Sequence, residues 1–203
     1  MASQKIADPI HGYTYGAASV PTSPVTLSEL DALKATAGFT VEDEHLLRQA
    51  GEALADQTEA IVTRWRSDII ARIPNLARHS RSLDGQPIPQ YLAQSNLRFR
   101  QWILDTCFRP YDQDWLNYQH EIALRHTSLK KNTVDGVCST AYVPFRDIAA
   151  FVAVMNDTIK PFLAAQGHAQ PVVDAMHRAW CKSVQLQLTL WAKPYSTQVI
   201  DEW

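Results

Sequence analysis

The chain has 203 residues, 46% of them hydrophobic, with 19 basic against 21 acidic side chains. That is enough chain to bury the core of one globular domain. The near balance of charge excludes electrostatic capture by nucleic acid or by an anionic membrane surface, so neither partner is expected and recognition has to come from shape or chemistry.

Cys107, Cys138 and Cys181 are odd in number and widely spaced, without a Cys-x-x-Cys pair. They read as reduced thiols of a cytoplasmic protein. The first residues, Met1 to Pro9, lack an apolar signal core, and the longest apolar run, Ile148 to Met155, is too short to span a membrane.

Up to about Pro24 the chain is rich in Pro, Gly, Ser and Tyr without periodicity, which reads as an extension. Within it, Ile10-His11-Gly12-Tyr13-Thr14-Tyr15-Gly16 suits either a tight loop packed on a surface or a disordered tail. A short helix follows over 26–33, capped by Thr26 or Ser28. Thr40 and Asp43 form the pattern of a capping box and open a long helical stripe through Leu47, Leu54, Ile61, Trp65 and Ile73. Its length predicts a break near 56–58, and Pro74 is expected to stop it.

Prolines and Asp84-Gly85 mark 75–89 as a loop, and the next helix covers about 90–106 with Leu92, Phe99, Trp102 and Ile103 facing inward. Asp112 or Asp114 caps a further helix whose stripe is Trp115, Tyr118, Ile122, His126 and Leu129. A polar loop at 132–142 leads to Pro144 and a helix carrying Ile148, Phe151, Val152, Met155 and Ile159, which Pro161 should kink or end. Pro171 opens the last long helix, through Met176, Trp180 and Trp191, and Pro194 closes it. No stretch alternates like a strand, so the fold class is all-α. The last two long helices are apolar on more than one face, which fits packing against a second subunit.

Motifs for phosphate binding, zinc proteolysis and serine hydrolysis are absent from the sequence. His120 and His126 lie six apart, about 120° around a helix, so they do not converge on one metal. His126 alone sits in an apolar stripe. It is either a core histidine satisfied by backbone carbonyls or a ligand able to bind iron from one side.

The chain resembles the protoglobins, single-domain globins related to the globin-coupled sensors. The segments that carry the likeness are Ile10 to Gly16, Phe39 to Glu44, Arg100 to Thr106, Tyr111 to Leu116, Tyr118 to His126, Lys130-Lys131-Asn132, and Lys160 to Ala164 with Gly167-His168, in order along the chain. The resemblance implies a globin fold enlarged by an N-terminal extension and a pre-A helix: residues 1–24 packing on the haem edge and residues 25–203 forming the globin domain. It also implies one haem b and a homodimer through the last two long helices. His126 would be the proximal iron ligand, Phe99 and Phe151 distal-side or haem-packing aromatics, Trp65 a distal tryptophan, and the loop bearing Tyr13 and Tyr15 a cover over the haem edge. Met155 would join Phe99, Phe151 and Trp65 around an apolar chamber.

One residue departs from the family. Where the pattern has a tyrosine after the distal tryptophan, this chain has Arg66. Its guanidinium either reaches into the pocket or points to solvent, and solvent is the expectation, because burying it without a partner is costly. The helix over 90–106 contains no His, Met or Cys, so the iron should be five-coordinate and open. The implied function is binding of O2, CO or NO as a carrier, scavenger or sensor. The alternatives are a haem enzyme (NO dioxygenase, peroxidase-like, or carbene- or nitrene-type transfer) and a haem-free helical interaction domain.

Overall fold

The computed structural model describes residues 9–196. Residues 1–8 of the expected extension and the end of the expected globin domain lie outside the described residues. Thr26 caps the first helix, α1 (Leu27–Thr36): its hydroxyl accepts the Glu29 N–H while the Glu29 carboxylate accepts the Thr26 N–H. Helix α2 (Val41–Leu54) begins in the same way, with Asp43 in the glutamate's place. Asp43 also receives the Lys182 ammonium at 2.9 Å, which ties the start of α2 to a distant helix.

The expected break falls at 55–57, and α3 (Thr58–Thr63) follows. From Arg64 to Ile69 the helix widens into a π turn, then tightens into a 3-10 turn at Ile70–Arg72. Such a widening rotates the side chains beyond it relative to an ordinary helix. Pro74 does more than stop the chain: it opens a single-turn helix, α4 (Pro74–Ala77), where its missing N–H is not needed. The segment 75–89 is therefore partly helical, with another 3-10 turn at Arg78–Ser80 and one antiparallel bridge between Arg81 and Pro87.

Helix α5 (Pro89–Phe108) leads to α6 (Gln113–Leu124), whose cap is Asp112, accepting the Trp115 N–H at 2.9 Å. Helix α6 is shorter than its apolar spacing implied. Arg125 is its cap residue, and the turn is closed by the His126 N–H on Ala123 and the Thr127 N–H on Leu124. His126 thus stands just past the helix end, and Leu129 is 60% exposed rather than on the inward stripe. Helix α7 (Phe145–Ala164) runs through Pro161. The carbonyl that this proline leaves without a donor belongs to Asp157, at an exposed position, while fully buried Ile159 and Leu163 anchor the last turn. Helix α8 (Gln170–Trp191) and the single turn α9 (Lys193–Ser196) complete the described chain.

Helix α2 packs against both α5 and α8, and α8 packs along α7. Gly51 permits the first of these crossings: a Cβ there would lie 2.5 Å from the Phe108 ring and 2.7 Å from Cys107 Cβ. Trp65, Trp115 and Trp180 are among the side chains buried completely. The result is an all-α, globin-like arrangement with no strand among the described residues. No helix among them is long and apolar enough to cross a membrane.

Candidate functional site

A cavity of about 260 Å³ opens between the π turn, α5, the end of α6 and α7. His126, Phe99, Phe151, Met155 and Tyr13, all expected around such a chamber, line it. Trp65 and Tyr15 do not. Trp65 lies one layer behind, its ring 5.0 Å from that of Phe99 and its indole N–H donated to Thr158 Oγ1 at 2.8 Å. The π turn accounts for this placement, since it sends Trp65 into the core and leaves the next residue toward the cavity. Tyr15 packs against the outer side of Tyr118, with the Arg109 guanidinium 4.2 Å from its ring centre.

His126 carries the chemistry. Its Nδ1 donates to the Ile122 carbonyl at 2.8 Å, which fixes the tautomer and leaves Nε2 with a lone pair and no protein partner among the described residues. Burial pushes its pKa down to about 4, so the ring is neutral at physiological pH. The ring of Trp191 stacks on it with centroids 6.5 Å apart and planes 25° from parallel, and the Val143 N–H bonds the His126 carbonyl at 2.7 Å. A neutral, oriented imidazole with one nitrogen committed to the backbone is the donor set for one metal–nitrogen bond.

The other groups with lone pairs in the wall are engaged or weak. His79 lines the cavity, but its Nδ1 pairs with Thr140 Oγ1 at 2.8 Å and its Nε2 with Asp147 at 3.2 Å. Among the described residues no three His, Cys, Asp or Glu side chains converge to hold a metal on their own.

Arg66 contradicts the solvent reading. Its guanidinium lines the cavity, lies 5.2 Å over the Phe99 ring and donates to Ser95 Oγ at 2.6 Å. Its Nε is buried without a partner. Burial lowers its pKa from the ordinary arginine value.

The N-terminal segment is a packed loop, not a tail, over its described part. Arg125 binds Gly12 O and Thr14 Oγ1, and the Tyr13 hydroxyl donates to Asp105 at 2.8 Å. Tyr13 thereby closes one side of the cavity. Lys131, which the sequence offered only within a matched segment, is also in the wall: it is 7% exposed, donates to the His79 carbonyl at 3.0 Å, and burial pushes its pKa down to about 8. His79, Asp147 and Ser95 were missed altogether, because residues paired across 68 positions, as His79 and Asp147 are, leave no local signal.

An all-α core that sets the neutral His126 imidazole, one nitrogen uncommitted, in the wall of a cavity is the arrangement expected of a globin. The protoglobin family model matches residues 26–199, and the chain belongs to the protoglobin family. Comparison with curated proteins returned no match. Membership implies a haem cofactor and gaseous ligands. The residues present fit such a group: one nitrogen donor without a protein partner among the described residues, and aromatic walls from Phe99 and Phe151.

Proposed function

We propose that the protein binds haem b through His126 and takes up O2, CO or NO at the iron's open face, as a carrier, scavenger or sensor. When bound, the haem supplies an iron centre at which a diatomic gas can coordinate reversibly. The observation that carries this reading is the Nδ1 contact of His126 with Ile122, which points the imidazole's basic nitrogen away from the backbone. The Ile122 carbonyl makes that nitrogen a better donor, and Trp191 keeps the ring from rotating. Phe99, Phe151 and Met155 exclude water from the chamber, and Tyr13 and Tyr15, with their loop, cover the haem edge. Trp65 serves from behind, holding Phe99 in place.

The same proposal includes the division at residue 24, with the preceding extension acting as the cover, and a homodimer through α7 and α8. These two helices pack along each other and leave Ala150, Ala153 and Val172 exposed. It also includes a cytoplasmic setting, in keeping with free thiols at Cys107, Cys138 and Cys181. The decisive experiment is the absorption spectrum of the purified protein, reduced and then exposed to CO. A strong Soret band that moves with CO supports an open haem iron. A colourless protein that takes up no added haemin refutes the reading. Sedimentation at micromolar concentration tests the dimer separately.

A further inference from the structure

Among the described residues, Arg66 is the one arginine of the cavity wall whose guanidinium meets no acid; Lys131, the other cation there without one, donates to the His79 carbonyl. Arg98 is paired with Asp135 at 2.6 Å and Arg125 with Glu121 at 2.8 Å, so these two guanidinium groups are already neutralised. Arg66 has only the neutral Ser95 hydroxyl, and its Nε has nothing. Phe99 covers one face of the guanidinium with a ring that can hold it in place but cannot accept its protons in the plane. A charge enclosed in this way is stable only when a counter-charge completes it. No carboxylate within ion-pairing distance does so among the described residues. The remaining space beside it is the cavity it shares with His126.

We propose that Arg66 makes this cavity a binding site for small inorganic anions, which its guanidinium holds within the same chamber as the His126 imidazole. This rests on the haem reading, because the anion's second anchor is the ferric iron. The placement of Arg66 favours a free anion over a carboxylate of the haem itself: it follows directly on the buried Trp65 in the π turn and lines the same cavity as His126, where Arg98 beside it is already paired with Asp135. The physical consequence is selection by charge: an anion gains a charge-assisted hydrogen bond that a neutral ligand of the same size does not.

The test compares ferric wild type with Arg66→Leu and Arg66→Lys at one pH, titrating fluoride as the anion and imidazole as the neutral ligand, with the Soret band as the readout. Arg66→Leu should weaken fluoride at least tenfold and leave imidazole within threefold. Arg66→Lys, which keeps the charge but loses the fork, should fall between. Equal changes for both ligands, or none, overturn the inference while the Soret band leaves the haem reading standing. Loss of haem from Arg66→Leu with unchanged fluoride affinity in the fraction that retains it also overturns it, by assigning the guanidinium to a haem carboxylate. A wild-type protein without a Soret band would remove the haem reading and this inference with it.

Discussion

The imidazole of His126 gives its Nδ1 proton to the carbonyl of Ile122, four residues earlier and one helical turn back, at 2.8 Å. Because Arg125 ends α6 between them, this carbonyl is one of the last-turn acceptors that the helix itself cannot satisfy. One hydrogen bond therefore finishes a helix and selects a tautomer. His126→Ala should abolish tight haem retention, and His126→Gly should regain a Soret band when free imidazole is added. A His126→Ala protein with an unaltered spectrum would show that the iron is held elsewhere.

The loop over the cavity depends on a glycine. Gly12 has φ of +73°, and a Cβ there would stand 2.5 Å from Val134 Cγ1. Gly12→Ala thus meets both left-handed backbone strain and a direct collision, together about 1–3 kcal/mol. Part of that cost is avoidable if the loop lifts away, which would break the Arg125 contacts to Gly12 and Thr14. We expect faster haem transfer to an acceptor protein from Gly12→Ala, and a restored rate when Val134→Ala is added. Identical transfer rates for the single variant and wild type would show that the loop does not cover the site.

Lys131 sets a pH dependence whose sign follows from burial. A lysine in the unfolded chain keeps its proton up to about pH 10.5, whereas in the fold its pKa is about 8. Below pH 8 both states are protonated and the desolvation cost is constant. Between pH 8 and 10.5 the unfolded chain binds more protons, so stability rises with pH across that window. Lys131→Met should stabilise the protein at pH 7 and lose the rise, since the His79 carbonyl keeps the Ser139 hydroxyl as a donor at 3.1 Å. Urea midpoints at pH 7 and pH 10 check this: the gap between variant and wild type must narrow toward pH 10.

The sequence made the helices legible where local chemistry decides them. Thr40 caps with Asp43 as the pattern predicts, and of the alternatives Thr26 or Ser28 and Asp112 or Asp114 the structure uses Thr26 and Asp112, because a cap is settled within four residues. Helical period alone does not locate where a helix ends or widens. The stripe through His126 and Leu129 continued past Arg125, although the helix stops there, and the position of Trp65 depended on a π turn with no sequence signature. The expectation that Arg66 points to solvent rests on the cost of burying a bare guanidinium. Ser95, 29 residues away, and the Phe99 ring lower that cost, and neither contact is visible from spacing.

Trp65 offers the sharpest test of that corrected geometry. It is completely buried, and its indole N–H reaches Thr158 Oγ1, which in turn donates to Val154 O at 2.7 Å. Thr158→Val keeps the volume and removes the acceptor, leaving a buried donor unsatisfied at a cost of about 1–3 kcal/mol. Thr158→Ser keeps the hydroxyl and should cost less. Trp65→Phe deletes the donor instead, and Thr158 retains its own bond to Val154, so the loss there is one of packing volume rather than of polarity. If Trp65 stands behind Phe99, Thr158→Val lowers the urea midpoint while the CO-bound Soret position stays fixed, and Phe99→Leu moves that position. A Soret shift in Thr158→Val as large as in Phe99→Leu would put the indole in the chamber itself.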